Sequence, residues 1–165
     1  MVDSLQEKAK NIRKNIVEMV YQASSGHPGG SLSVADILTA LYFSELRINN
    51  VSDENRDRMV LSKGHCSPAL YATLSKKGFI PEEDLKSFRK VASYLQGHPD
   101  MKKIPGVDMT SGSLGQGLSV ANGMALAGKL DNKEYRVYCV MGDGEIEEGQ
   151  VWEAAMTSSH YKLDN

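Results

Sequence analysis

The stretch VYCVMGDGEIEEGQVWEAAMTSSHYKLDN, residues 137–165, predicts a strand, a turn and a helix in direct succession. Residues 135–141 form a short apolar run of β-branched and aromatic side chains without helical period, which indicates a buried strand of a parallel sheet. Residues 150–162 contain good helix formers, and one apolar face is expected to pack on the sheet. The side chains of that face are Val151, Trp152, Ala155 and Met156.

The turn Gly142-Asp143-Gly144 lies between this strand and this helix. In open α/β sheets, ligands bind at the carboxyl ends of the strands, where the N-terminus of the following helix favours an anion. The two glycines let backbone N–H groups approach an anion closely. The turn therefore indicates a phosphate site.

Four carboxylates lie in and after this turn, on Asp143, Glu145, Glu147 and Glu148. They would repel a bound phosphate unless a cation lay between the carboxylates and the phosphate. Mg²⁺ resolves the conflict, because proteins hold it with one or two carboxylates and with the oxygens of a bound phosphate. The alternative is an ordinary turn, in which acidic side chains stabilise the N-terminus of the helix. The turn alone does not decide between these two interpretations.

Length and composition are typical of one soluble domain with a sizeable core: 165 residues with a net charge of −2. This charge gives no reason to expect nucleic acid or an anionic membrane as partner. We find no apolar run long enough to span a bilayer and no apolar centre of a signal peptide, so we expect a cytoplasmic location. The chain has only two cysteines, Cys66 and Cys139, and they are far apart in the sequence. This pattern argues against a disulfide framework and is typical of proteins in a reducing compartment.

Two predicted strands each end in a glycine-containing turn. Residues 58–62 form the earlier strand, and Lys63-Gly64-His65 follows it. Helical patterns lie around both strands, so we predict an α/β fold with a parallel sheet and helices on both faces. An α/β unit would continue into a further strand after residue 165. We therefore expect one domain, residues 1–165, truncated at its C-terminal end.

Capping residues predict where the helices begin and end. Ser4 and Glu7 form a capping box at the first helix. The third helix is delimited by Ser67 as N-cap, with Pro68 at the first helical position, and by Gly78 past its end. The second helix is predicted to begin near Ser33. Its inward side chains are predicted to be Val34, Ile37, Leu38, Leu41 and Tyr42. A shorter helix is predicted over residues 82–90.

A later helix follows the segment GSLGQG, residues 112–117, and is rich in glycine and alanine. Glycine costs helix stability unless a close approach offsets that cost. We therefore expect this helix to pack tightly on other backbone. The segment follows a loop rather than a strand and does not match the dinucleotide-binding fingerprint.

Three of the four histidines follow a glycine in a predicted loop, namely His27, His65 and His98. A single loop histidine most often only makes a hydrogen bond, but three in the same context favour a functional role. They could donate to phosphate or substrate hydroxyls, transfer protons, or bind zinc together. Zinc is the least favoured of these, because no two histidines have the short spacing of such sites. His160 lies in a predicted helix.

Five segments together resemble the N-terminal, cofactor-binding part of transketolases. They are SSGHPGGSLSVADILTALYF (24–43), VLSKGHCSPALYATL (60–74), LQGHPD (95–100), TSGSLGQGLSVANGMALAGK (110–129) and VMGDGEIEEGQVWEAAMTSSHYKLDN (140–165). The chain also resembles the N-terminal subunit of transketolases encoded by two genes, although such subunits normally extend past residue 165. The resemblance implies the thiamine diphosphate-binding fold and transfer of a two-carbon ketol unit between sugar phosphates.

The resemblance also assigns roles around the cofactor. It implies that Asp143 binds Mg²⁺, for which Ca²⁺ or Mn²⁺ can substitute, and that the Gly144 amide and His65 contact the diphosphate. Gly112 and Leu114 would border the cofactor rings. An asparagine and a main-chain carbonyl downstream would complete the metal shell.

The resemblance implies catalytic roles for three further side chains. His98 would contact a hydroxyl of the donor sugar, and His27 would lie by the acceptor and take part in proton transfer. Glu148, together with Glu153, matches acids that link paired cofactor sites across a dimer.

Transketolases place the glutamate that activates the cofactor, and most arginines that bind sugar phosphate, in their second domain. We therefore expect the chain alone to be inactive and to need a C-terminal half or subunit, in a homodimer or a heterotetramer. The motifs GHPGGSLS and GSLGQGL favour transketolase over the related 1-deoxy-xylulose-5-phosphate synthase. Transketolases for sulfonated or branched sugars, a Mg²⁺-dependent phosphate or nucleotide hydrolase, and a non-catalytic module remain as alternatives.

Overall fold

The computed structural model describes residues 4–165, which contain five α-helices and two β-strands. In chain order these are α1 (Leu5–Ala23), α2 (Pro28–Ala40), β1 (Arg58–Leu61), α3 (Ser67–Lys77), α4 (Gly117–Leu130), β2 (Val137–Val140) and α5 (Gly149–His160). Short 3-10 segments span Gly64–Cys66, Glu82–Ser87 and Glu145–Glu147, and a π-helical turn spans Leu41–Glu45. Residues 1–3, which the sequence prediction includes in the same domain, lie outside the described residues.

The two strands pair in parallel, with Arg58 opposite Val137 and Leu61 opposite Val140. Successive side chains of a strand point to opposite faces of the sheet. Met59 and Leu61 lie in the core formed with α1, α2 and α3, whereas the intervening Val60 is fully buried outside that cluster. Helix α4 contacts both strands. The predicted α/β fold with a parallel sheet and flanking helices is therefore confirmed.

Helices α1, α2 and α3 pack on one another and form most of the core. Ile12, Ile16, Leu38 and Leu74 are all completely buried, and each such side chain stabilises the fold by about 1.5–3 kcal/mol. The predicted cap of α1 is present, since Ser4 Oγ accepts a hydrogen bond from the Glu7 amide at 3.2 Å. None of the helices between residues 4 and 165 has the length and apolar character needed to cross a bilayer.

The start predicted for α2 is wrong, because the helix begins at Pro28 rather than near Ser33. Proline favours this first position, where its fixed φ suits the helix and its missing N–H would have no partner within the helix. Ile37 is 53% exposed and does not point inward as predicted, whereas Val34 and Leu38 are buried. The helix predicted over residues 82–90 is the short 3-10 segment described above.

The apolar face predicted for α5 is wrong in part. Val151 is buried, but Trp152 and Met156 are 62% and 66% exposed. Ala154 is buried beside Val151, and polar contacts complete the packing of α5 on α4, because Asn122 donates to the Ala154 carbonyl at 2.7 Å and accepts from Ser158 Oγ at 2.7 Å. Strand β2 is half-buried rather than buried along its length.

Candidate functional site

The carboxyl ends of β1 and β2 lie at the same edge of the sheet, because the two strands run parallel. The segment 63–66 follows β1 there, and the turn 142–144 follows β2. Helix α4 begins at the same edge, where the amide of Gly117 donates to Ser62 Oγ at 3.0 Å. Three chain segments therefore converge where α/β sheets bind their ligands.

Close backbone approach requires glycine at the start of α4. A Cβ on Gly117 would overlap the Ser62 side chain and come within 2.8 Å of its Cα. Near the end of the helix, a Cβ on Gly128 would lie 3.0 Å from the Tyr135 ring. Gly123 has open space around it instead. The predicted tight packing of this helix is thus confirmed at its two ends but not at its middle.

Glu145 is the one acid of the turn region that is buried, and the sequence predicted no separate role for it. Its side chain is only 2% exposed. One carboxylate oxygen, Oε1, accepts from the Gly115 amide at 2.9 Å and from Ser62 Oγ, while Oε2 accepts from the Gly142 amide at 2.9 Å. Both oxygens are occupied by protein donors, so Glu145 is not free to bind a metal ion.

Asp143 differs from Glu145 in exposure and in hydrogen bonding, the two properties that decide whether a carboxylate can bind a metal ion. Its side chain is exposed, and within residues 4–165 it takes part in no hydrogen bond or ion pair. The neighbouring Gly144 is exposed, with no atom within 4 Å of the position where a Cβ would lie. A free carboxylate beside an exposed glycine fits Mg²⁺ carrying a diphosphate, because Mg²⁺ is typically held by one or two carboxylates together with phosphate oxygens.

The predicted histidine group is brought together by the loops at this edge. The rings of His27 and His65 meet edge to face, with centroids 5.1 Å apart. The ring of His98 lies 3.6 Å from the position a Cβ would take on Gly112. Among the described residues no three His, Cys, Asp or Glu side chains come together as a metal site. The zinc alternative therefore finds no support in this part of the chain.

Burial and neighbouring charge both act on these imidazoles. Burial, followed by the charges of His27, Lys63 and His98, lowers the pKa of His65 below its ordinary value. Burial, followed by the charges of Arg89 and His27, likewise lowers the pKa of His98. Both rings are therefore neutral at pH 7, and a neutral imidazole has one nitrogen that donates and one that accepts.

Two cations beside the site were not identified from the sequence. Lys63 Nζ donates to the Gly30 carbonyl at 3.5 Å, and Lys63 Cδ lies 3.8 Å from the Cβ position of Gly142. This lysine thus joins the histidine loops to the 142–144 turn. Its position directly before Gly64-His65 was a signal that could have identified it.

The second cation, Arg89, lies beside His98. Its Nη1 donates to Ser25 Oγ at 2.6 Å, and its guanidinium packs so closely on Gly97 that a Cβ there would lie 2.7 Å away. No local pattern indicated this contact, because residue 89 fell inside a predicted helix. In the structure it follows the 3-10 segment with φ of 59°.

The remaining predicted site residues lie on or beside the glycine loop 112–117. Leu114 is 38% exposed, and the Cβ of Glu148 lies 3.1 Å from the Cβ position of Gly115. Glu148 and Glu153 are both exposed. His160 lies apart from this group, at the end of α5, where its ring packs edge to face on Tyr161 at 4.8 Å.

Comparison with known proteins shows the family of this chain. The family model described as transketolase, thiamine diphosphate binding domain, matches residues 4–165. One of the subunits of the apulose-4-phosphate transketolase of Phocaeicola vulgatus is 48% identical over 99% of this chain and 59% of its own length. The 6-deoxy-6-sulfo-D-fructose transketolase subunit SqwG of a Clostridium species is also 48% identical, over 98% of this chain and 59% of its own.

Solved structures extend the agreement to three dimensions. The crystal structure of transketolase from Campylobacter jejuni superposes with a TM-score of 0.89 at 40% identity, over 98% of this chain. The chain spans 27% of that transketolase and 59% of the two subunits named above. With the family model and these relatives in agreement, the chain belongs to the transketolase family and corresponds to its thiamine diphosphate-binding domain.

Proposed function

We propose that this chain supplies the cofactor-binding part of a transketolase, which transfers a two-carbon ketol unit between sugar phosphates. The observation that carries the proposal is the contrast between two acids that are separated by one glycine. Glu145 is buried and accepts hydrogen bonds on both carboxylate oxygens, whereas Asp143 is exposed and free beside Gly144. The turn thus presents one carboxylate and one open glycine, as a metal-bound diphosphate requires.

In this proposal different residues contact the metal ion, the diphosphate and the rings of the cofactor. Asp143 binds Mg²⁺, or Ca²⁺ or Mn²⁺ in its place, and His65 and the Gly144 amide contact the diphosphate. Gly112 and Leu114 border the rings. Thiamine diphosphate, when bound, supplies the carbanion stabilisation that no side chain provides. The protein's contribution is to hold the cofactor in place and to orient it.

His27 and His98 act on the sugar. The lowered pKa of His98 keeps its ring neutral near pH 7, so that one nitrogen can accept a hydroxyl proton while the other donates. His27 contacts His65 and lies on an exposed loop, where an acceptor sugar can reach it. We propose that the two histidines hold and move hydroxyl protons during the transfer.

A second chain or domain completes the enzyme in this proposal. Both bacterial relatives are named as subunits, and this chain covers 59% of each. We propose that residues 1–165 form a cofactor-binding unit that works with a C-terminal transketolase half, in a homodimer or a heterotetramer in the cytoplasm. Glu148 and Glu153 would then link paired sites. The substrates would be sugar phosphates of the pentose phosphate pathway or sugars with a comparable terminal anion.

A ketol-transfer assay with thiamine diphosphate and Mg²⁺ tests this proposal. Residues 1–165 alone should give no turnover, because the proposal places other residues needed for the transfer in a C-terminal half, and the assembled protein should transfer the two-carbon unit. Clear turnover by the chain alone would contradict the need for a partner. Absence of turnover in the assembled protein, together with hydrolysis of ATP in Mg²⁺, would favour a hydrolase instead.

A further inference from the structure

Glu145 joins three segments that are distant in the sequence. Its carboxylate accepts hydrogen bonds from Gly142 in the turn after β2, from Gly115 in the glycine loop, and from Ser62 at the end of β1. The partners lie 3, 30 and 83 residues away along the chain. No other carboxylate of the turn makes such contacts within residues 4–165, since Asp143, Glu147 and Glu148 are all exposed.

The network continues through Ser62 into α4. Ser62 Oγ donates to Glu145 and accepts from the Gly117 amide at 3.0 Å. The first amide of α4 and the amide of Gly115 are therefore both oriented, directly or through one hydroxyl, by the same carboxylate. A buried carboxylate is costly unless donors surround it. As long as Glu145 is buried, these segments must stay together around it.

The loops that Glu145 joins are those that would contact the cofactor. The turn carries Asp143 and Gly144, and the glycine loop carries Gly112 and Leu114. Because the Gly142 amide donates its hydrogen bond to Glu145, the turn is held with Asp143 and Gly144 exposed to solvent. The spacing between the metal-binding turn and the loop at the cofactor rings thus depends on a side chain that touches neither.

We infer that Glu145 is a positioning residue, which holds the 142–144 turn and the glycine loop at the separation that bound thiamine diphosphate requires. This inference rests on the proposed function, because it concerns the same site. It assigns Glu145 a different role from Asp143. Removal of Glu145 should weaken cofactor binding while leaving the metal ligand intact.

Glu145→Gln tests the inference with little change in size. The substitution replaces one carboxylate oxygen, which accepts hydrogen bonds, by an NH₂ group, which donates them. The NH₂ group must then lie against another donor, either the Gly142 amide or the Gly115 amide and the Ser62 hydroxyl. Glu147→Gln is the matched control, because Glu147 lies in the same 3-10 segment, loses the same charge and is exposed. The assembled protein is titrated with thiamine diphosphate by calorimetry at several Mg²⁺ concentrations, well below its unfolding temperature.

The expected result is binding weaker by about tenfold for Glu145→Gln and changed by less than about twofold for Glu147→Gln, with the dependence on Mg²⁺ concentration retained in both. Hydrogen exchange of the Gly115 and Gly142 amides in the cofactor-free protein should accelerate in Glu145→Gln alone. A lower unfolding temperature with unchanged affinity and unchanged exchange would overturn the inference, because Glu145 would then serve only the stability of the fold.

Ser62→Ala provides a second variant if Glu145→Gln does not fold. It removes one of the three donors and should weaken binding by about threefold, whereas unchanged affinity would overturn the inference. Failure of the wild-type protein to bind thiamine diphosphate would instead contradict the proposed function. The exchange rates of Gly115 and Gly142, measured without cofactor, would still decide the role of Glu145 in that case.

Discussion

His98, for which we propose a role in proton transfer, illustrates how the charge state of a side chain depends on its immediate neighbours. Burial lowers its pKa most, and the guanidinium of Arg89 lowers it further. Arg89 is held there by Ser25 and by the absence of a side chain on Gly97. The neutral state that the proposed proton transfer needs is thus supported by a cation that need not touch the substrate.

Replacing Arg89 by Gln should raise the pKa of His98 toward its ordinary value. The sign follows from the charge, because a nearby cation opposes protonation and its removal makes protonation easier. The pKa of His65 provides an internal control, since Arg89 is not among the causes of its shift. An NMR titration of the histidine ring protons measures both. An unchanged midpoint for His98, or an equal shift of both histidines, would contradict this description of the site.

The sequence predicted the residues whose chemistry is visible in a local motif. The three glycine–histidine pairs and Asp143 in its glycine turn all lie at the expected edge of the sheet. Glu145 could not be separated from its acidic neighbours, because its role depends on Ser62 and Gly115, which lie 83 and 30 residues away. Chain folding, rather than local spacing, determines which carboxylate is buried and which is free.

Helix α4 shows that glycines in one element can have opposite effects on stability. Gly117 lies against Ser62 without room for a side chain, whereas Gly123 is exposed with open space around it. Glycine in the middle of a helix makes the helix less stable than alanine does, because glycine loses more backbone entropy on folding. Only the first of the two glycines is required by packing.

Substitution by alanine should therefore destabilise the chain at Gly117 and stabilise it at Gly123. We expect a loss of about 1–3 kcal/mol for Gly117→Ala from overpacking. We expect a gain of about 0.5–1 kcal/mol for Gly123→Ala from helix propensity. Urea unfolding of the two variants beside wild type measures both free energies of unfolding. Equal effects at the two positions would contradict the close approach of α4 to the end of β1.

The sequence predicted the helices and strands better than the sides on which they pack. Strands β1 and β2, the N-cap of α1 and the Gly78 C-cap of α3 follow from local pattern and capping residues, whereas Ser67, the predicted N-cap of α3, is the first residue of that helix. The buried face of α5 follows only in part. Val151 is buried as predicted, but Ala154 and the polar contact of Asn122 with Ser158 take the place of Trp152 and Met156. The hydrophobic periodicity of a helix does not show which neighbouring element the helix packs against, so it could not predict the buried side of α5.

At the surface of the molecule, several large apolar side chains of α4, α5 and their flanking loops are exposed. They are Leu114, Val120, Leu130, Ile146, Trp152, Met156 and Tyr161. Large exposed apolar groups concentrated on neighbouring elements are typical of an interaction surface. Under the proposed function, this surface would be covered by the second half of the enzyme or by a second copy of the chain.

Trp152 reports directly on this expectation, because it is the single tryptophan of the chain and is 62% exposed. Its fluorescence should shift to shorter wavelength when the partner chain is added, since the indole leaves water. The spectrum of the assembly containing Trp152→Phe is subtracted to remove tryptophans of the partner. A spectrum of Trp152 that stays the same on assembly would show that the partner binds elsewhere.

The central claim is that this chain binds thiamine diphosphate through a metal ion held by Asp143, and calorimetry of Asp143→Ala in the assembled protein tests it most directly. Thiamine diphosphate is titrated into wild type, Asp143→Ala and the exposed control Glu147→Ala, each with Mg²⁺ and with the metal removed by a chelator. We predict Mg²⁺-dependent binding by wild type and by the control, and a loss of about 100-fold or more in Asp143→Ala. Binding by Asp143→Ala that equals wild type in affinity and in Mg²⁺ dependence would contradict the claim.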